Sequence, residues 1–230
     1  LGALARKVAR DVAGGGDGDA DIGEEQVREL LGPERVHNEV KRRTEEAGVA
    51  TGLAVTGAGG EILFVEASVM PGSGKLVVTG QLGDVMRESA QAALSYVRSH
   101  ADELDLPVSD DYFLQHDVHL HNPAGAVPKD GPSAGVTLTT ALVSALSDRP
   151  VDSDVAMTGE ITLTGHVLPV GGVKEKVLAA RRAGIGTVII PTLTKDQLAE
   201  VDEELLAGTT IVHADRLDQV LEVALNGSDD

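Results

Sequence analysis

The sequence predicts a mixed α/β fold of the α+β kind, and three observations carry that expectation. From Thr51 two β-rich runs are joined by "GAGG". From about residue 83 onward helical and strand-like patterns alternate. Hydrophobic residues at 42% and charged residues at 24% are ordinary for a folded chain of 230 residues, which is long enough to bury a sizeable core. Aromatics amount to only 2%, with no Trp, so Val, Leu, Ile and Ala must fill that core.

Taken in order, "LGALARKVARDVA" steps Leu4, Val8 and Val12 along one helical face. It runs into "GGGDGDAD", where glycine and like charges remove any reason to fold, and then into a short helical stretch, "GEEQVRELLG". Residues 1–48 read as the tail of another domain plus a flexible linker, and residues 49–230 as the main domain. A start at Leu1 suggests a piece cut from a longer protein. "TGLAVTGAGGEILFVEASVM" then reads as a β-hairpin and "KLVVTG" as a third strand. "GDVMRESAQAALSYVRSHADEL" reads as a long amphipathic helix with Val85, Ala92 and Tyr96 facing one way. "DVHLHN" is a strand, and the small-residue run after Ser133 is a helix. "VAMTGEITLTGHVLPV" supplies further strands. "GVKEKVLAARRAG" is a helix closed by Gly184, and strands "TVIIP" and "TIVHA" precede a last helix.

Composition excludes several function classes. A formal net charge of −18 opposes approach to a phosphate backbone or an anionic membrane, and the scarcity of aromatics leaves no stacking platform for single-stranded nucleic acid. Without cysteine there is no disulfide framework, thiolate metal site or cysteine nucleophile, which fits a cytoplasmic protein. No run approaches the roughly 20 apolar residues of a membrane span, and the "NGS" at Asn226 is read as a chance sequon.

Four motifs bear on chemistry. "PGSGK", residues 71–75, lacks the glycine five positions before Gly74 and the Ser or Thr after the lysine that a phosphate loop requires; Val69 and Leu76 stand there, so it reads as a turn. His119 and His121 share one strand face, a spacing open to a metal or a general base, but no third ligand is evident and no metal is expected. Ser133, in "PKDGPSAG", stands where it either caps the following helix or acts as a nucleophile beside the free N–H groups of a helix start. A lysine is a base only when neutral, a state of fewer than about one in a thousand amines at pH 7. Burial and a helix N-terminus both favour that state. On a helical wheel Lys176 falls with Val173, Val177 and Ala180 on the apolar stripe, whereas Lys174 points toward Leu178 and Arg181. Lys176 is therefore the lysine placed to lose its water.

"PKDGPSAG", "TGEITLTGHVLPVGGVKEKVLAARRAG" and "TGLAVTGAGGEILFVEASVMPGSGKL" together resemble the proteolytic domain of the ATP-dependent Lon proteases of the bacterial A type, from about Thr51 to Val223. The preceding segment resembles the end of that family's small AAA+ subdomain. The resemblance implies a Lon-type fold of mixed sheets with flanking helices and a serine endopeptidase working through a Ser133–Lys176 dyad. The two residues lie 176 − 133 = 43 positions apart. Thr158 would orient the lysine amine, and backbone N–H groups around Gly131, Pro132 and Ala134 would stabilise the oxyanion, with Asp130 in support. The family's loop at Lys129 and Asp130 also adopts an inactive conformation. By the same resemblance the full-length enzyme uses ATP and Mg²⁺, while this part needs no cofactor, and it assembles as a homohexamer acting on unfolded polypeptides in the cytoplasm. Where family members often carry Trp in "TGLAWT", this chain has Val55, a change expected to cost packing area and to leave the dyad alone. The rival readings are a Ser-His hydrolase of small esters or amides using His119 or His121, and a non-catalytic scaffold.

Overall fold

The computed structural model of the chain describes residues 2–15, 46–57, 59–109, 111–123, 130–199, 201 and 203–225. The chain falls into two compact units, Leu1–Glu39 and Val40–Asp230. The first contributes one described element, helix α1 (Gly2–Ala13), over the stretch whose periodicity predicts it. The glycine-rich run from residue 16, the helix expected over residues 23–32 and Lys129 lie outside the described residues.

The second unit is built on a sheet of seven strands in the order β3-β4-β2-β1-β5-β8-β9. Strands β1 (Val49–Thr56) and β2 (Gly59–Pro71) form the expected hairpin, with Thr56 opposite Gly59. Strand β3 (Leu76–Thr79) runs parallel to β4 (His116–His121), which pairs antiparallel with β2. Strands β5 (Val155–Met157), β8 (Thr187–Pro191) and β9 (Thr210–Ala214) add in parallel beyond β1. A separate pair, β6 (Glu160–Ile161) and β7 (Val167–Leu168), stands apart from the main sheet.

Helices α2 (Asp84–Ser99), α4 (Gly135–Ser147), α5 (Val173–Arg182) and α7 (Leu217–Leu225) flank these strands, with the one-turn α3 (Tyr112–Gln115) leading into β4. A further turn of helix, α6 (Glu203–Leu206), and a 3-10 stretch at Thr192–Leu198 lie between β8 and β9. Neither these two nor α3 is signalled by the sequence pattern, because each is too short to show a period.

Alternation along the strands sends successive side chains to opposite faces, so the sheet carries apolar packing on both sides. Ala50, Met157 and Ile189 join α2, α4 and α7 in one cluster. Leu53, Ala156, Val188 and Ile190 join Val173, Val177 and Ala180 of α5 in the other. Helix α4 is buried on almost every side, and its Thr139 and Thr140 hydroxyls are satisfied by the carbonyls of Gly135 and Val136 one turn back. Such internal pairing is what lets hydroxyls lie in a dry core.

One expectation is corrected in α2. The helix ends at Ser99, and its buried face carries Met86, Ala90, Ala93, Tyr96 and Val97, while Val85 is exposed. The stripe is rotated one residue from the reading centred on Val85 and Ala92. Both phases contain Tyr96, and the neighbouring residues offer apolar side chains either way, so packing on α4 decides between them.

Candidate active site

Ser133 lies in a 3-10 turn, Pro132–Ala134, that leads straight into α4. Gly131 opens the turn at φ +149, a value that L side chains rarely adopt. Neither the turn nor α4 carries a side-chain cap bond, so the Ser133 hydroxyl is not spent on capping the helix. Gly135 N–H bonds Pro132 O and Val136 N–H bonds Gly159 O at 3.1 Å. Pro132 has no N–H to offer.

Lys176 comes from the opposite face of the sheet. Gly172, in the left-handed region at φ +68, turns the chain into α5, and Lys176 N–H bonds the Gly172 carbonyl at 3.0 Å in the first turn. The helix buries Val173, Lys176, Val177 and Ala180, while Lys174 is exposed. At 2% exposure, Lys176 is the buried cation among the described residues. Burial penalises the ammonium and pulls its pKa down from 10.5 to about 8.

The two helix starts meet at the C-terminal end of β5. Lys176 Nζ donates to Thr158 Oγ1 at 3.0 Å, and Thr158 Oγ1 donates to the Ser133 carbonyl at 3.3 Å. The Ser133 carbonyl also receives the Gly159 N–H at 2.9 Å, and Thr158 N–H is fixed to Ile189 O of β8 at 3.1 Å. The hydroxyl of Thr158 has a single hydrogen. With that hydrogen given to Ser133, its lone pair is what receives the lysine.

Ser133 and Lys176 line one cavity of about 300 Å³ together with Val55, Pro132, Pro169, Val170 and Gly171. On its other side Ser133 lines a smaller hollow of about 150 Å³ with Ala54, Val55, Leu63, Met86, Asp130 and Ala134. Val55, 46% exposed, is thus a wall of both cavities. Leu63 and Met86 carry no local signal of a site, since they belong to periodic core stripes. Gln197 also reaches the site region, with Nε2 donating to Val170 O at 3.0 Å and Oε1 accepting from Val173 N–H at 3.4 Å. Asp130, exposed, accepts the Met86 N–H at 3.1 Å and so faces α2.

The histidines go elsewhere. His119 Nε2 and His121 Nδ1 both bond Thr79 Oγ1, at 2.8 and 2.7 Å, and they line a different cavity with Glu46, Glu66 and Ser68. Neither is among the described residues around Ser133. Among the described residues no group of three or more His, Asp or Glu is arranged to hold a metal ion.

The "PGSGK" segment is a turn whose Ser73 and Lys75 N–H groups donate to Asp117 Oδ1 at 2.7 and 2.8 Å. Those N–H groups, Lys75 first, hold the Asp117 carboxyl below the usual carboxylate range. An anion of the protein therefore occupies the donors a phosphate would need, and these residues do not fit a nucleotide.

The sequence model of the Lon protease (S16) C-terminal proteolytic domain matches residues 21–227. The Lon protease of Anaeromyxobacter dehalogenans (strain 2CP-C) is 57% identical over 225 residues, 96% of this chain and 26% of that protein. Lon protease 2 of Thermus thermophilus is 54% identical over 227 residues, 99% of this chain and 28% of that protein. The Lon protease of Geobacter metallireducens is 55% identical over 225 residues, 98% of this chain and 27% of that protein. The chain thus spans about a quarter of the length of the curated relatives it matches.

Proposed function

Because the chain belongs to the Lon protease (S16) C-terminal proteolytic domain family, we propose that it is a serine endopeptidase in which Ser133 is the nucleophile and Lys176 its general base. The observation that carries this reading is a single one. A buried lysine with a pKa of about 8 lines the same cavity as a serine at a helix start.

Neutral Lys176 takes the Ser133 hydroxyl proton as Oγ attacks the scissile carbonyl carbon. The resulting oxyanion is held by backbone N–H groups of the Gly131–Ala134 turn, for which Ser133 and Ala134 are the candidates, since Gly135 and Val136 are engaged. Collapse breaks the C–N bond, the leaving amine takes the proton from the Lys176 ammonium, and an ester to Ser133 remains. Water, deprotonated by Lys176, hydrolyses that ester and restores the serine. Thr158 keeps the amine in place by accepting one of its N–H bonds while its own hydrogen is committed to Ser133 O.

At the scale of the whole protein, residues 1–48 are assigned to the end of a small AAA+ helical subdomain plus linker, and residues 49–230 to the protease domain. The complete enzyme is read as a cytoplasmic homohexamer that uses ATP and Mg²⁺ outside this chain to deliver unfolded polypeptides. No helix among the described residues is long and apolar enough to cross a membrane. No step of the chemistry above runs through nucleotide. The test is hydrolysis of a fluorogenic peptide and labelling by a fluorophosphonate, compared with Ser133→Ala, Lys176→Ala and Lys174→Ala. The first two should lose nearly all turnover and the third should keep most of it. Parental turnover in Ser133→Ala would overturn the assignment.

A further inference from the structure

Helix α2 begins at a glycine, which has no side-chain oxygen with which to cap it. The oxygen comes instead from a residue 44 positions away in sequence: Asp130 Oδ1 accepts the Met86 N–H at 3.1 Å, the third helical position, where a cap bond is normally received. A second observation shows how closely the carboxylate is seated. A Cβ built on Gly83 would lie 2.3 Å from Asp130 Cγ and 2.5 Å from its Oδ2. The Gly83 backbone, at φ −70 and ψ 178, is one that any residue adopts. The three atoms nearest to such a Cβ all belong to the Asp130 side chain, which is what demands glycine there.

Asp130 directly precedes Gly131, and with Met86, Gly131, Ser133 and Ala134 it lines the 150 Å³ hollow. On its far side the turn is held by the Gly159 N–H bond to Ser133 O. The turn carrying Ser133 is thus pinned at two points, one of them the end of a helix more than forty residues upstream.

We propose that Asp130 is a positioning residue: by capping α2 from outside, it fixes Gly131–Ala134, and with it the Ser133 hydroxyl and neighbouring backbone donors, against the Met86 wall of the cavity. The assignment rests on Ser133 as nucleophile. Its consequence is that the cap bond, rather than the negative charge of Asp130, is what catalysis requires.

The test compares Asp130→Ala, Asp130→Asn and Gly83→Ala in the chain, reading peptide kcat and KM, the pH profile and amide hydrogen exchange. Asparagine caps as well as aspartate, so Asp130→Asn should stay within about threefold of the parent. Asp130→Ala and Gly83→Ala should each lower kcat by roughly 10- to 100-fold, since a displacement of about 1 Å has that effect, with KM moved less and the alkaline limb unmoved. Both should also speed exchange of the hydrogen-bonded Met86, Gly135 and Gly159 amides by about five- to tenfold. Parental kcat and parental exchange in Gly83→Ala would overturn the proposal. So would an Asp130→Asn variant as impaired as Asp130→Ala with a displaced limb, which would assign the carboxylate's charge to Lys176 instead. If Asp130→Ala fails to fold, Gly83→Ala and the exchange data decide. Activity persisting in Ser133→Ala would sink the nucleophile assignment alone, because exchange reports the anchor without any turnover.

Discussion

Lys176 is the residue on which chemistry and stability pull in opposite directions. Only its neutral form accepts the serine proton, so kcat/KM should rise along one limb centred near pH 8, following the depressed pKa. A histidine base would place the limb near pH 6 to 7, and a plateau already complete at pH 7 would count against Lys176. The same burial sets a stability effect. Folding lowers the pKa from 10.5 to about 8, so between those values the folded state binds fewer protons than the unfolded one. The penalty is therefore full below about pH 8 and fades as the pH rises to 10.5. At about 1.4 kcal/mol per unit it amounts to roughly 3 kcal/mol. Lys176→Met, apolar and of similar length, should be inactive yet more stable at pH 7 by about 1–3 kcal/mol, raising Tm by a few degrees for a chain of this size. Thermal melts at pH 7 and pH 10.5 check this, and a gain as large at pH 10.5 as at pH 7 would refute it.

Among the elements, α4 ties the site to the sheet at both of its ends. The 3-10 turn that leads into it carries Ser133, and in its last turn buried Ser144 accepts the Gly48 N–H at 2.9 Å, where the chain enters β1, while donating to the Arg149 carbonyl. Ser144→Ala leaves the Gly48 N–H buried without its partner, a loss of about 1–3 kcal/mol. Residue 144 lies about three turns from Ser133, so denaturant midpoints should fall while the pH limb of peptide hydrolysis stays in place. A displaced limb would mean that α4 transmits the change to the dyad. The element scale is also where local patterns read well and fail in an understandable way. The apolar stripe of α5 selects Lys176 over Lys174 because Val173, Val177 and Ala180 define one phase. The stripe of α2 is ambiguous because alanines and Val85 extend the apolar arc, and only contact with α4 fixes the inward face on Met86 and Val97.

At the scale of the whole molecule, the response to nucleotide separates peptide hydrolysis from the degradation of folded proteins. The one phosphate-loop-like segment is a turn closed on Asp117, so peptide hydrolysis by this chain should be indifferent to ATP. An unstructured polypeptide should be cleaved and a stably folded protein left intact, followed by gel assay with and without ATP and Mg²⁺. ATP-stimulated degradation of the folded protein by this chain alone would contradict the reading.

By itself the sequence determined the mixed α/β class, the hairpin from Thr51, the helix that follows Ser133 and the one that carries Lys176, and the side of α5 on which Lys176 lies. Each of these follows from residues within a turn or two of one another. Only the tertiary structure decided that helices from opposite faces of the sheet converge on Thr158 at the end of β5, that His119 and His121 are committed to Thr79, and that Asp130 reaches the start of α2. Those outcomes depend on hydrogen bonds between residues 18 to 44 positions apart. Periodicity reports which face of a helix or strand is apolar, but not which distant donor a side-chain oxygen will meet once those faces pack.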